Sequence, residues 1–430
     1  MFYEYLTSRM GISPQAANFV AEAEAGLSAR FTQIDQVASL NQLKILSAMQ
    51  KSRLSDTHFN NSTGYGYHDE GREALEEIFV KIFNAEAALV RPQLISGTHA
   101  LAAALFGNLR PGDTLFSPVG RPYDTLESVI GIRPTAGSLA EFGINYRQAE
   151  LTEDGKFDYD AIDIALADEP KMATIQRSKG YSWRPSFTVE EIHELIEYIR
   201  ARSPRTIILV DNCYGEFVQA DEPIQADLLA GSLIKNPGGG LAPGGGYVVG
   251  KQEYVDGAAQ RLTAPGLGGA VGPTLGMTRT LMQGLFMAPQ TVSAAVKGAV
   301  LAAEVFSRLG FDVNPLVDAT RSDIVQAIKL NTPENILAFC RGIQKAAPVD
   351  SFVFPEVAPM PGYANGVIMA GGTFIQGSSI ELSADAPMRE PYTVYFQGGL
   401  TAPHSFAGVV FALDSLLLTN SKIASIIPKL

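Results

Sequence analysis

Between residues 13 and 55 apolar side chains recur every three or four positions, in SPQAANFVAEAEAGLSARFTQIDQVASLNQLKILSAMQ, among abundant Ala, Glu and Gln. That period gathers one apolar face and predicts helix. A turn-rich stretch, HFNNSTGYGYHDEGRE, leads into a second helix over 73–83. The pattern then changes to short apolar runs alternating with helical segments. Ala87–Arg91 reads as a strand, 99–106 as a helix opened by the small residues Ser96, Gly97 and Thr98, 113–118 as a strand and 123–130 as another helix. Met172–Gln176 and 206–210 (TIILV) are continuous apolar runs of the kind found in parallel strands buried on both faces. FTVEEIHELIEYIRARS between them is an amphipathic helix of crossover length. Strand, helix, strand at this spacing is a βαβ unit, and its repetition predicts an α/β fold: a mostly parallel sheet with helices on both faces.

From about residue 290 the pattern changes again. A long Ala/Val-rich helix runs to Leu309, and strand-like pieces (SFVFPEV, NGVIMAGGTF, SIELSA, YTVYFQGG) precede a final helix over 406–418. This α+β composition places a domain boundary near 290, and no internal repeat is visible.

Length and composition narrow the picture. The 430 residues suffice for about two domains at ~100–200 residues each. With 46% apolar and 18% charged residues the chain can bury a large core. Acidic residues exceed basic ones by 12, against the basic surplus of a nucleic-acid or anionic-membrane binder. Two cysteines, Cys213 and Cys340, make no disulfide framework or metal motif, so no metal is expected and a reducing, cytoplasmic setting is. The start MFYEYLTSRMGIS has no secretory pattern, and the uncharged stretch 262–278 is too rich in Gly and Pro for a spanning helix.

The candidate chemistry lies between 206 and 250. TIILV ends in Asp211, where open α/β sheets bind ligands, and 24 residues later comes Lys235 in GSLIKNPGGGLAPGGGYVVG. Flanked by Leu233 and Ile234, Lys235 is expected to be partly desolvated, which lowers an amine's pKa and favours the nucleophilic form used in Schiff-base chemistry. A solvated surface lysine is the plain alternative. Ser96-Gly97-Thr98, opening a helix after a strand, suits an anion such as phosphate, or serves only as a helix cap. His99 has no partner at ligand spacing and reads as structural.

With Asp211, Lys235 and Ser96-Gly97-Thr98 in this order, the chain resembles fold-type I pyridoxal-phosphate enzymes of cysteine and methionine metabolism, in the methionine γ-lyase-like, aluminium-resistance-associated branch. The segments that carry the resemblance are GYGYHDEGREALEEIF, ALVRPQLISGTHALAAALFGNLRPGD, IQRSKGYSWRPSFTVEEI, VDNCYGEF, SLIKNPGGGLAPGGGY and MREPYTVYFQGGLT, spanning roughly 64–404. The resemblance implies pyridoxal 5'-phosphate held by Lys235 through a Schiff base, with Lys235 later shuttling a proton. Asp211 would pair with the pyridine nitrogen, and Ser96, Gly97, Thr98 and Ser232 would hold the phosphate. Tyr123 would stack on the ring in a cofactor-binding and catalytic position, and Arg389 would take the substrate α-carboxylate. It further implies an N-terminal helical arm (1–65), a large cofactor domain (66–290) and a small C-terminal domain (291–430). A homodimer or homotetramer with shared active sites is also implied, Tyr65 reaching a neighbour's phosphate.

The family's tyrosine-x-arginine pair is Tyr65-Gly66-Tyr67 here, its threonine before the lysine is Ile234, and its asparagine-proline turn is replaced by Arg177-Ser178-Lys179-Gly180-Tyr181. Arg177 and Lys179 read either as anion contacts or as a solvated basic loop, Cys213 as a small buried hydrophobe, and Trp183 as core or interface packing. The implied activity is a carbon–sulfur lyase releasing keto acid, ammonia and a thiol from cystathionine, methionine or a related amino acid. An aminotransferase, a racemase, or a cofactor-binding protein without turnover stay open as alternatives.

Overall fold

The continuous apolar runs lie side by side in the middle of a seven-stranded sheet. The structure, a computed structural model, describes residues 1–360, 363 and 365–427. Its first seven strands are β1 (Ala87–Arg91), β2 (Thr114–Ser117), β3 (Asn145–Gln148), β4 (Met172–Gln176), β5 (Ile207–Asp211), β6 (Leu228–Ser232) and β7 (Gly246–Gly250). They are ordered β1-β7-β6-β5-β4-β2-β3. Strands β3, β2, β4, β5 and β6 run parallel, and β7 is antiparallel to both β6 and β1. Every residue of β4, β5 and β6 is buried, as expected for central parallel strands covered on both faces.

The crossover helix Val189–Arg202 joins β4 to β5. Thr188 and Glu191 form a reciprocal capping box at its start, and Val189, Ile192, Leu195, Ile196 and Ile199 make its buried stripe. The helix Gly97–Asn108 packs against β6 and β7, with Leu101 and Leu105 in one core with Leu209, Leu228 and Val248. It also packs against the helix Gln252–Leu262. Gly107 and Gly257 allow that approach, since a Cβ on Gly107 would stand 2.4 Å from the Gly257 carbonyl oxygen.

Two compact units emerge: Leu40–Gly180 with Arg184–Ala288, which contains the seven-stranded sheet, and Met1–Ser39 with Tyr181–Trp183 and Pro289–Leu430. Residues 1–65, expected as an arm, are divided between them at 39/40. In the second unit the strands are β8 (Val313–Asn314), β9 (Gln326–Lys329), β10 (Val367–Ala370), β11 (Ser383–Pro387) and β12 (Thr393–Gln397), antiparallel throughout in the order β10-β11-β12-β9-β8. The helices Pro333–Ala346 and Ala402–Thr419 pack on each other. The N-terminal helix Pro14–Ala25 joins them, its cap Ser13 donating from Oγ to Asp414 Oδ1 at 2.6 Å. SFVFPEV is not a strand; its neighbourhood supplies only an isolated bridge between Ala358 and Val367.

Among the described residues two helices, Thr278–Arg308 and Ala402–Thr419, are long and apolar enough to cross a membrane. Their most apolar stretches are 78% and 56% buried inside the protein, the burial of core helices.

Candidate active site

The carboxyl ends of β4, β5 and β6 meet in register: Gln176 pairs with Asp211, and Asp211 with Ala230, two residues before Ser232. Ligands of open α/β sheets bind at this edge. Asp211 is buried, and its Oδ1 accepts the Cys213 N–H at 3.1 Å. Burial pushes its carboxyl pKa up; the Lys235 cation and the hydrogen bonds from Cys213 act against that and only partly offset it.

Lys235 follows β6 and precedes a single 3₁₀ turn, Asn236–Gly238. The next residue anchors it: Asn236, fully buried, donates from Nδ2 to the carbonyls of Tyr214 and Glu216, each at 2.9 Å. The glycine tract has a packing cause. A Cβ on Gly238 would fall 1.8 Å from the Leu233 carbonyl oxygen, and Gly239, at φ +54°, lies against the Gly284 backbone. Lys235 Nζ rests 3.9 Å from the centre of the Tyr214 ring and, among the described residues, donates no hydrogen bond. Burial pulls its pKa down, but Cys213, Tyr214, Asp211 and Glu216 outweigh burial and hold the amine above the ordinary lysine value. Burial of the amine is as expected, but the lowered pKa expected from it is not found, because the neighbouring acids turn the shift upward.

Beside it is a shelf of small polar groups. Ser96 caps the helix Gly97–Asn108, its Oγ accepting the His99 N–H at 3.1 Å. A Cβ on Gly97 would stand 2.9 Å from Cys213 Sγ and 3.3 Å from Ser232 Cβ, so glycine lets this helix start close to β6. Ser232 Oγ is buried with no hydrogen-bond partner among the described residues, an arrangement that costs free energy until an acceptor arrives. Thr98 Oγ1 pairs with Thr125 Oγ1 at 2.8 Å, tying this helix to Asp124–Ile130, whose cap is Tyr123. The Tyr123 N–H donates to Gln176 Oε1 at 2.7 Å, and its ring packs where a Cβ on Gly180 would be. Contacts thus bring together Ser96, Gly97, Thr98, Tyr123, Asp211, Ser232 and Lys235. His99 Nδ1 accepts the Ile95 N–H at 3.3 Å and burial lowers its pKa, a structural arrangement.

Tyr65 lies apart from this cluster, and Arg389 belongs to the other compact unit. Tyr65 is 66% exposed and stacks on Tyr67 with ring centres 5.4 Å apart; among the described residues no hydrogen bond or ring contact joins it to Lys235. Its loop is held by buried Arg72, which donates to the carbonyls of Gly66 (2.7 Å) and Gly272 (3.0 Å). Arg389, in the C-terminal unit, is exposed and donates to the Tyr181 carbonyl at 3.1 Å. Trp183 is exposed with the Lys329 ammonium 3.9 Å from its ring centre, so it is not a core residue.

Arg177 and Lys179 are fully buried, which removes the solvated-loop reading. Arg177 donates to Asn212 Oδ1 (2.8 Å), Glu222 Oε2 (3.2 Å) and Gln219 Oε1 (3.1 Å). Glu222 also accepts from Asn212 Nδ2 (3.0 Å) and the Phe217 N–H (2.8 Å). Next to this network Tyr247 Oη donates to Glu216 Oε1 at 2.7 Å, and burial pushes the Glu216 carboxyl pKa up to about 8. Sequence reasoning missed Glu216, Glu222 and Asn236. Their signal was available: DNCYGEF places charge and glycine directly after a buried strand, and Gly215 and Gly231 leave room for Arg177 and for Glu216 with Tyr247. Cys213 is buried and its thiol pKa is pushed well up by burial, as for an inert hydrophobe.

The fold is that of the fold-type I pyridoxal-phosphate enzymes. The PLP-dependent protein YhfS of Escherichia coli, at 16% identity, matches 88% of this chain and 95% of its own with a TM-score of 0.58, a likeness of fold alone. The methionine gamma-lyase family model matches residues 16–417, and the chain belongs to that family. Bacillus subtilis YnbB, itself without a characterised activity, is 50% identical over 400 residues, covering 92% of this chain and 95% of YnbB. A carbon-sulfur lyase of Clostridium novyi involved in aluminium resistance is 47% identical, with a TM-score of 0.91 over 96% of this chain and 98% of that one. The family implies pyridoxal phosphate, and the residues present fit it: an amine opposite a buried carboxylate, a helix N-terminus opened by Gly97, and an orphaned hydroxyl at Ser232.

Proposed function

We propose that the protein is a carbon–sulfur lyase that removes a thiol from the β or γ carbon of a sulfur amino acid such as cystathionine or methionine, leaving keto acid and ammonia. The observation that carries this reading is the Lys235 amine set against buried Asp211 beside the unpartnered Ser232 hydroxyl. Pyridoxal phosphate, when bound, supplies an electron sink that weakens bonds at an amino acid's α carbon. Lys235 Nζ would carry the cofactor, then take the α proton once freed, a step that requires it to shed the proton it holds among its acidic neighbours. Asp211 would keep the ring nitrogen cationic. Ser232 Oγ, Thr98, Ser96 and the first N–H groups of the helix Gly97–Asn108 would hold the phosphate, where the helix dipole favours an anion. Tyr123 would pack along the ring.

We further infer a homodimer or homotetramer. Tyr65, Tyr67 (57% exposed) and Ile95 (77% exposed) support it, being large apolar side chains open to solvent, the last directly before Ser96. The test is the visible absorbance of the purified protein together with keto-acid and ammonia release from a panel of sulfur amino acids. A visible band and release, both abolished in Lys235→Ala, are expected. Amino-group exchange without keto-acid and ammonia release, or full activity in Lys235→Ala, would overturn the reading.

A further inference from the structure

The turn after β5 contains two non-glycine residues in the left-handed region, Tyr214 at φ +72° and Phe217 at φ +63°. That conformation is uncommon for bulky residues and persists where the surroundings over-determine it. Here they do. Asn236 clamps the carbonyls of Tyr214 and Glu216, the Phe217 N–H is bound by Glu222, and Gly215 lies against the Arg177 side chain. The result of holding Tyr214 in this way is that its ring face lies under the Lys235 ammonium at 3.9 Å. An aromatic face at that distance attracts a cation through its quadrupole, most strongly where water is excluded.

We propose that Tyr214 is a positioning residue for the Schiff-base lysine: its ring holds the unreacted Lys235 amine in its charged form and so sets how readily that amine becomes available to the cofactor aldehyde. The inference rests on the reading of Lys235 given above and goes beyond it by assigning a role to a side chain outside the cofactor shelf. The groups facing Lys235 are Asp211 at the end of β5 and Cys213, Tyr214 and Glu216 on the turn; Arg184, after β4, acts on Asp211. Replacing the ring leaves Asp211 and Glu216 in place, so the charge of Lys235 is eased rather than abolished. Lys235 reacts only as the neutral amine, whose nitrogen lone pair adds to the aldehyde carbon with loss of one water, so the loading rate follows the neutral fraction.

The experiment measures cofactor uptake by the full-length, cofactor-free chain. Growth of the visible band after mixing with pyridoxal phosphate is followed from pH 6 to 9 in wild type, Tyr214→Leu and Tyr214→Phe. Leucine and phenylalanine face the same backbone strain as tyrosine, so that contribution cancels, and only phenylalanine keeps a ring. Tyr214→Leu should load about two- to thirty-fold faster at a given pH, the range a ring–cation contact spans. Tyr214→Phe should stay within about twofold of wild type. Pyridoxine phosphate, which lacks the aldehyde, should bind all three at equal rates.

A Leu variant that loads like wild type overturns the proposal, as does a Phe variant as fast as Leu, which would assign the effect to the phenol oxygen. Equal acceleration of pyridoxine phosphate would show that the ring merely blocks entry. Should Tyr214→Leu fold poorly, the Phe variant and the wild-type pH profile still decide: a wild-type rate independent of pH over this range would mean that Lys235 is not held as a cation. A wild-type chain that takes up no cofactor would remove the reading of the site itself, a separate outcome.

Discussion

Arg177 and Lys235 both pack against the turn 211–217, one touching Gly215 and the other Tyr214, yet the protein holds them by different means. Arg177 is fixed by directional bonds: its guanidinium meets three acceptors on Asn212, Glu222 and Gln219, with Glu222 itself held by two further donors. Lys235 is held by charge and by a ring face, and donates no hydrogen bond among the described residues. A guanidinium in a fork of acceptors is locked in place, whereas a lysine retained by non-directional forces can turn and leave. Structure and chemistry can therefore occupy the two sides of one turn when one cation is held by directional bonds and the other by charge.

Removing each cation is the strongest way to break this contrast. Lys235→Ala should lose the visible band and lower keto-acid release by about 10²–10⁴-fold or more. Its cost in stability should stay at about 1–2 kcal/mol, since no hydrogen bond among the described residues is lost and Asp211, already shifted upward, can take a proton. Arg177→Met should do the opposite, destabilising by about 3–5 kcal/mol because buried Glu222 is left unpaired. Its remaining folded fraction should keep the band. Denaturant midpoints and absorbance on the same samples check both. A Lys235→Ala chain as destabilised as Arg177→Met would erase the distinction.

This division was only half legible in the sequence. Strands β4 and β5 and the crossover helix stand out because runs buried on both faces, and a capped amphipathic stripe, are local patterns. β3 (NYRQ) is polar and sits at the sheet edge, while β6 and β7 dissolve into glycine, so their pattern hides them. Asp211, Lys235 and the Ser96-Gly97-Thr98 opening are visible for the same local reason, each marking the end of a strand or the start of a helix. The charge state of Lys235 is not visible, because it depends on Glu216 and Tyr214, some twenty residues away. Arg177 and Lys179 stay ambiguous for a related reason: two nearby cations read equally as anion contacts or as a solvated loop until the acceptors that bury Arg177, contributed from residues 212–222, are seen.

Glu216 sharpens the comparison, since it faces both networks. Its carboxyl titrates near pH 8 in the fold against 4.5 ordinarily, so the folded chain binds the extra proton between those values. Stability from this group is fully present below about pH 4.5 and is lost as pH rises through about 8, because the unfolded chain releases its proton first. Wild type should therefore lose up to a few kcal/mol relative to Glu216→Gln between pH 5 and 8. The Gln variant keeps an acceptor for Tyr247 and should be flatter over that range. Denaturant titrations at both pH values test this, and parallel curves for the two chains would place the proton elsewhere.

The smallest expected effect isolates the shelf. Ser232 Oγ has no partner among the described residues, so Ser232→Ala deletes an oxygen that makes no bond there in the cofactor-free chain. The cofactor-free melting temperature should be unchanged or slightly higher, because a buried unsatisfied hydroxyl is itself a cost. Binding is different, since a hydrogen bond to a charged group contributes about 1.5–3 kcal/mol, which corresponds to a pyridoxal phosphate Kd about 10- to 150-fold weaker. Ser96→Ala is the informative foil. Its Oγ caps a helix whether or not cofactor is present, so this variant should lose about 1 kcal/mol of stability in the cofactor-free chain as well. If Ser232→Ala instead lowers the cofactor-free melting temperature and leaves affinity untouched, the hydroxyl is a packing group and the phosphate lies elsewhere.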